Sequence, residues 1–217
     1  MAGYNRARNW GKEVSFTTKK AAFAPSGTNL KTIGSILDFE GGPPDGIRNG
    51  SWVVDRPIGT TSWGYVEGLK ANSAETVIGW LVDTVSKNGT LLLNVSPKAD
   101  GTIPRDQQET LLAVGNWLRT NGNAIYDSHA WIRFDEKGKD HIYFTAHGPN
   151  LYAIVMGTPG GSEVQIRALP RGGPAGSVRS VALLGGGALR FTQNSAGLTV
   201  PIPETAIRNQ PFVIKIA

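Results

Sequence analysis

The clearest pattern of apolar and polar positions lies in the middle of the chain. A helix is predicted to begin at Asn72, where Glu75 would complete a capping box, and apolar residues recur at helical spacing along one of its faces, at Ala74, Val77, Ile78, Leu81, Val82 and Val85. A near-continuous apolar run follows, comprising Leu91, Leu92, Leu93 and Val95. Because this run lacks alternation, it predicts a strand buried on both faces of a parallel sheet.

A polar turn and a second helix are predicted to follow this strand. The turn contains Lys98, Asp100 and Gly101, and local hydrogen bonds are expected to fix it. It would lie at the carboxyl end of the strand, where α/β barrels place their active sites. Pro104 suits the first turn of the next helix, and Gly122 suits its end. This segment therefore predicts helix, strand, turn and helix, bordering a functional site.

Upstream of this segment, the pattern indicates further alternation of strands and helices. Residues 4–12 are predicted to finish a helix, and residues 13–18 to form a short strand. Residues 33–37 are predicted to lead into a second strand that ends at Asp38. The alternation is typical of a parallel sheet built from βα units.

The pattern changes near residue 127. Short alternating segments separated by glycine follow, at residues 141–145, 151–156, 163–168, 178–184, 198–202 and 212–216. This spacing is typical of an antiparallel sandwich. We therefore predict an α/β plus all-β chain, with part of a (β/α) barrel over residues 1–127 and an antiparallel β-sandwich over residues 128–217.

Composition and charge narrow the classes of function. No stretch approaches the roughly 18 apolar residues of a membrane helix, and Met1 is not followed by a basic and then apolar leader, so the chain is predicted to be soluble, without a membrane role. The absence of cysteine excludes thiol catalysis, and three histidines leave little for a metal site; no cofactor is expected. The net charge of +5 comes from scattered residues. Nucleic-acid binding needs a clustered basic face, so no nucleic acid is expected as a partner.

Several long motifs carry a resemblance to one enzyme family. They are VSKNGTLLLN from Val85, PKADGTIP from Pro97 and VGNWLRTNGNAIY from Val114, preceded by the shorter blocks WGKEV, DFEGG and SWGY. In this order they resemble the α-L-fucosidases of glycoside hydrolase family 29, over roughly residues 4 to 131. The resemblance implies a glycosidase of carbohydrate metabolism with a TIM-barrel catalytic domain that releases terminal fucose.

The resemblance also implies site residues. Hydrolysis with retention needs two carboxyl groups roughly 5–5.5 Å apart, and the DFEGG block resembles the one that carries the general acid/base, which assigns that role to Glu40. Gly41 and Gly42 would let the backbone turn sharply there; the alternative is an exposed loop glutamate. Trp63 occupies a position whose ring packs against fucose, or is an ordinary core aromatic. For Trp52 and Asp55, substrate binding and packing are equally open.

The nucleophile implied by the resemblance has no match in this sequence. In the family it lies upstream of a WGKEV-like block, which begins here at Trp10. We therefore expect the carboxyl-terminal half of a fucosidase, inactive alone, with the strand over residues 13–18 as an unpaired edge. Its expected partners are a fucosylated glycan or fucoside, and a missing amino-terminal half or a second copy of itself. The alternative function is a non-catalytic carbohydrate-binding or accessory module.

Overall fold

A parallel sheet forms the first part of the molecule. The computed structural model describes residues 6, 9–12, 14–15, 17–19, 36–138, 140–156, 161–206 and 211–217. Neighbouring strands of the sheet are parallel and follow chain order, as β1 (Thr17–Lys19), β2 (Ile36–Glu40), β3 (Trp52–Pro57) and β4 (Gly89–Asn94). Within the predicted helix over residues 4–12, Arg6 and Asn9 are helical, and the Trp10 amide donates to the Arg6 carbonyl at 3.2 Å, as expected of a helix that ends there. The start of the predicted strand at residues 33–35 lies outside the described residues. Strand β3 was not predicted.

Two helices pack against each other, and the first of them lies on one face of this sheet. Helix α1 spans Ala74–Val85 and helix α2 spans Arg105–Asn121, followed by a short 3-10 turn at Gly122–Ala124. The predicted cap of α1 was wrong by one residue, because the side chain of Ser73 accepts the hydrogen bond from the Thr76 amide. Asn72 instead donates from its side chain to the Ile58 carbonyl. Neither helix in the described segments has the length and apolar character that membrane crossing requires.

Strand β4 is not buried on both faces, so this part of the sequence prediction was wrong. Leu93 and Val95 pack into the apolar cluster beneath the helices, whereas Leu92 is 55% exposed. The reason is that the helices cover only one face of β4. The four strands of the described residues form an open sheet with β1 and β4 at its edges, so the other face of β4 has no cover there.

An antiparallel sandwich forms the rest of the chain, as the spacing of its short segments predicted. Its strands are β5 (His129–Glu136), β6 (Ile142–His147), β7 (Asn150–Val155), β8 (Glu163–Ile166), β9 (Val181–Leu183), β10 (Gly187–Ala188), β11 (Thr192–Asn194), β12 (Gly197–Pro201) and β13 (Phe212–Ile216). The larger sheet has the order β10-β9-β13-β7-β6-β5, and the smaller sheet the order β11-β12-β8. All six predicted segments contain strands; β5, β10 and β11 were not predicted. The fold is a partial (β/α) barrel followed by a β-sandwich.

The sandwich packs directly against the barrel helices. Its larger sheet buries Tyr152, Ile154 and Val213 in the same apolar cluster as Val114 and Trp117 of α2. A second cluster fills the space between the two sheets of the sandwich. We propose that the domain boundary lies between residues 127 and 128, with the first cluster as the contact between the two domains.

The close approach of Gly89 to Trp52 makes a stability prediction. A β-carbon at Gly89 would clash with the ring of Trp52, and Trp52 is buried. Gly89→Ala is therefore expected to lower the free energy of unfolding by about 1–3 kcal/mol, through overpacking. Gly115→Ala is the control, because a β-carbon there meets nothing within 4 Å and should stabilise α2 by roughly 0.5–1 kcal/mol. Urea unfolding measures both; equal stability of Gly89→Ala and wild type would contradict the packing.

Candidate active site

Three neighbouring strands bring an ammonium and carboxylates together. Lys19 at the end of β1 places Nζ 2.7 Å from Oδ2 of Asp55 and 3.2 Å from Oε2 of Glu40. Strand register explains this, because Lys19 pairs with Asp38 and Glu40 pairs with Asp55. Parallel strands end at the same edge of a sheet, so their last side chains meet there. We call Lys19, Asp38, Glu40 and Asp55 the carboxylate cluster.

Glu40 is the open member of the cluster. Its side chain is 61% exposed, and it is the last residue of β2. Gly41 follows with φ of +85°, a conformation that favours glycine. The chain therefore turns away immediately after Glu40 and leaves its carboxyl group accessible to a ligand.

Asp38 and Asp55 are more enclosed. Asp55 is buried, and one carboxylate oxygen of each has no hydrogen-bond partner among the described residues. Burial and the carboxylates of Asp55 and Glu40 raise the pKa of Asp38, against the opposing charge of Lys19. The hydrogen bond to Asp55 is the main cause that raises the pKa of Lys19. The ammonium of Lys19 thus lies beside three carboxyl groups, so negative charge is concentrated at the carboxyl ends of these strands.

The raised pKa of Asp38 predicts a pH-dependent gain on neutralisation. Ionisation of Asp38 costs more in the folded than in the unfolded state, so its destabilising effect grows as pH rises through the folded pKa and is absent below the unfolded pKa, about 3.9. Asp38→Asn should therefore stabilise the protein at pH 7, with the gain disappearing towards pH 3.5. Urea unfolding at both pH values measures this, with the exposed Asp45→Asn as control. A gain equal at both pH values would contradict the electrostatic cause.

Trp63 is held near the carboxyl end of β4. Its carbonyl accepts hydrogen bonds from Asn94 Nδ2 at 2.7 Å and from Ser96 Oγ at 3.1 Å. The amide of Ser96 in turn donates to Gln107 Oε1 at 2.9 Å, which ties the contact to helix α2. Trp63 is 42% exposed. Its ring therefore has a free surface, unlike that of a core aromatic.

Trp63 and Glu40 lie on the same edge of the sheet. Glu40 ends β2, while the carbonyl of Trp63 is bound by the last residue of β4, two strands away. Two strand spacings correspond to roughly 10 Å. The strand ends that carry Glu40 and hold Trp63 therefore border the same part of the sheet.

The hydrogen bond from Asn94 gives a prediction on the segment between β3 and α1 that carries Trp63, which we call the Trp63 loop. Asn94→Ala removes the shorter of the two bonds to the Trp63 carbonyl, so the indole should gain mobility. We expect the ¹⁹F resonance of 5-fluorotryptophan at Trp63, assigned with Trp63→Phe, to shift and sharpen. Thr90→Ala is the control, because Thr90 is an exposed residue of the same strand. An unchanged resonance in Asn94→Ala would show that the loop is held by other contacts.

Trp52 is not brought to this edge. It is the first residue of β3 and 2% exposed, its Nε1 donates to the Lys87 carbonyl at 3.1 Å, and its ring meets Phe39 edge-on at 5.5 Å. It therefore lies at the amino end of the sheet with its ring enclosed. Of the two interpretations left open by the sequence, packing accounts for its surroundings.

The turn after β4 has the local hydrogen bonds expected of it. Asp100 Oδ1 accepts from the Thr102 hydroxyl at 2.7 Å and from the Thr102 amide at 2.9 Å. These bonds hold the pKa of Asp100 below its usual value. Lys98 Nζ lies 6.0 Å from the centre of the Tyr65 ring, which places the turn beside the Trp63 loop.

The sequence did not predict that Lys19 and Asp38 join the carboxylate cluster. Lys19 directly follows the strand predicted over residues 13–18, and Asp38 lies in the DFEGG block, so both were visible as charged residues at strand ends. Their meeting depends on register, which the pattern did not reveal. Among the described residues, no three His, Asp or Glu side chains are grouped to hold a metal ion.

Comparisons with known proteins agree on one family. The family model described as Alpha-L-fucosidase matches residues 4–123. Tissue alpha-L-fucosidase of Mus musculus is 32% identical over 165 residues, covering 74% of this chain and 36% of that protein. Its Homo sapiens counterpart is 38% identical over 119 residues, covering 54% of this chain and 26% of that protein.

A solved structure gives the same result. The alpha-fucosidase of Thermotoga maritima, in complex with a mechanism based inhibitor, superimposes with a TM-score of 0.77 at 30% identity, covering 99% of this chain and 47% of that one. The chain thus spans less than half the length of each of these relatives. On the family model and these similarities, the chain belongs to the α-L-fucosidase family.

Proposed function

We propose that this chain supplies the acid/base side of an α-L-fucosidase active site, which releases terminal L-fucose from fucosylated glycans or fucosides with retention. The observation that carries the proposal is the exposed carboxyl group of Glu40 at the carboxyl end of β2, 3.2 Å from Lys19. It stands in the DFEGG block, in a chain of this family, at the edge of the sheet where α/β barrels perform chemistry.

The proposed chemistry uses Glu40 twice. As an acid it protonates the departing glycosidic oxygen, and as a base it then takes a proton from the water that hydrolyses the fucosyl intermediate. Donation of the proton in the first step leaves a carboxylate on Glu40, and the proton taken from water in the second step restores the acid. The ammonium of Lys19, which also binds Asp55 at 2.7 Å, stabilises that charge and orients the group.

Trp63 is the proposed sugar platform. The face of an aromatic ring carries partial negative charge, so the ring of Trp63 suits the apolar C–H groups of fucose. The support is its exposure and the two hydrogen bonds that hold its carbonyl at the end of β4. Asp55 is a positioning residue, because its buried carboxylate contacts Lys19 and so acts on Glu40 indirectly.

We place the attacking carboxylate outside these 217 residues. Asp55 is poorly suited to attack, since it is buried and bound to Lys19. One face of β4 is open, with Leu92 55% exposed. This exposure supports the proposal that a further segment covers that face. That segment is a further part of a longer polypeptide, a separate chain or a second copy, and it would bring the nucleophile.

Hydrolysis of an aryl α-L-fucoside tests the proposal. We expect no turnover by the 217-residue chain and turnover by a longer polypeptide encoded in frame with it. Turnover by the chain alone that is lost in both Glu40→Gln and Asp55→Asn would instead place both carboxyl groups within this sequence. Fucose binding without turnover by either form would favour the non-catalytic carbohydrate-binding module.

A further inference from the structure

A polar cavity lies where the sandwich meets the end of helix α2. Its volume is about 270 Å³, and its polar lining comes from Asn123, His147, Asn150, Tyr152 and Lys215. Asn123 belongs to the 3-10 turn that follows α2, while the other four lie on strands β6, β7 and β13. The cavity is therefore shared between the barrel and the sandwich.

Strand register explains why these side chains converge. Lys215 pairs with Tyr152 between β13 and β7, and His147 pairs with Asn150 between β6 and β7. Alternate residues share a face of a sheet, so Tyr152 and Asn150 lie on the face that also carries Ile154. That face packs against the barrel helices. Where α2 ends, the same face continues without a helix over it, and its residues become polar.

The cavity offers hydrogen-bond donors and positive charge. Its lining contains no aspartate or glutamate, and Lys215 makes no salt bridge with any described residue. Tyr152 is 3% exposed, yet none of the described side chains or carbonyls forms a hydrogen bond with its hydroxyl. As directly paired residues of adjacent strands, Tyr152 and Lys215 have β-carbons about 5 Å apart. One small group can therefore contact both.

We propose that this cavity binds a small oxyanion, the carboxylate or sulfate group of an acidic sugar. The ammonium of Lys215 and the hydroxyl of Tyr152 are the principal ligands, because charge-assisted hydrogen bonds are the strong ones. The side-chain amides of Asn123 and Asn150 and the imidazole of His147 bind the remaining oxygens.

This site is separate from the carboxylate cluster. Helix α2 runs back from the carboxyl end of β4, so Asn123 returns to the amino ends of the strands. A hydrogen bond from the Ala130 amide to the Asn88 side chain, next to the start of β4, ties the sandwich to that end. Glu40 is the last residue of β2 and therefore lies at the carboxyl ends of the strands, opposite to Asn123. The proposal therefore stands independently of the fucosidase function.

Amide-proton NMR titration of the whole chain tests the proposal. Sodium sulfate and sodium glucuronate are added separately at constant ionic strength, balanced with sodium chloride, and glucose serves as the uncharged comparison. We expect saturable shifts confined to the residues around Tyr152 and Lys215. Saturation with sulfate alone would assign a sulfated ligand, and with glucuronate alone a carboxylate. Equal saturation with glucose, or shifts that grow linearly with every salt, would overturn the oxyanion site.

Charge variants identify the ligand residue. Lys215→Met keeps the length of the side chain and removes its charge, and it should weaken binding by about tenfold or more, the loss expected for a hydrogen bond to a charged group. Lys137→Met is the matched control, because it removes one charge from an exposed position of the same sandwich. Equal affinities in Lys215→Met and Lys137→Met would contradict the proposal.

Discussion

Replacing Glu40 by glutamine is expected to lower kcat/KM for aryl α-L-fucosides with poor leaving groups by about 10²–10⁴-fold, the usual contribution of general acid catalysis. Glutamine keeps the shape of the side chain but cannot protonate the departing oxygen. The assay uses whichever form of the protein shows turnover in the fucoside test proposed above. The loss should shrink for a dinitrophenyl fucoside, because that leaving group departs without protonation.

The leaving-group dependence separates catalysis from damage to the fold. Glu109→Gln is the control, since Glu109 is an exposed glutamate of α2 paired with Arg105. It should leave kcat/KM unchanged for both substrates. An equal loss for poor and good leaving groups in Glu40→Gln would indicate a structural role. Unchanged kinetics would remove Glu40 from the mechanism.

Replacing Trp117 by alanine is expected to lower the free energy of unfolding by about 3–5 kcal/mol, the range for deletion of a large buried aromatic side chain. Trp117 is 3% exposed and lies in the cluster that joins the barrel helices to the sandwich. Its Nε1 also donates to the Pro211 carbonyl. The substitution therefore removes packing and a hydrogen bond from the same contact.

Two further variants test the Trp117 interpretation by urea unfolding. Leu112→Ala, on the same helix but 66% exposed, should cost less than about 1 kcal/mol, as surface changes do. Trp117→Phe keeps an aromatic ring and leaves the Pro211 carbonyl unpaired, so it should fall between the two. A loss in Trp117→Ala no larger than in Leu112→Ala would contradict a packed contact between barrel and sandwich.

Local patterns predicted much of the fold. Period and glycine spacing located both helices and six sandwich segments, because each pattern reports which side chains of one element face apolar surroundings. The exposure of Leu92 could not be predicted this way. An unbroken apolar run gives no information on which layers are present to cover it, and here the described strands form an open sheet.

The candidate site was predictable only in part. Glu40 stood out through the DFEGG motif and the glycine that follows it, and Gly41 does adopt a positive φ. The contacts of Lys19 with Glu40 and Asp55 depend on the pairing of three strands distant in sequence. The placement of Trp52 depends on which end of β3 it occupies, and β3 itself was not predicted.

The most direct test of the account is the anomeric configuration of the product formed when azide rescues Glu40→Ala. Retention proceeds by two displacements, with the fucosyl group held on the nucleophile between them. If Glu40 is the acid/base, azide takes the place of water in the second displacement, so ¹H NMR of the product from an activated aryl fucoside should show α-L-fucosyl azide. Formation of the β anomer would make Glu40 the attacking group and contradict the account.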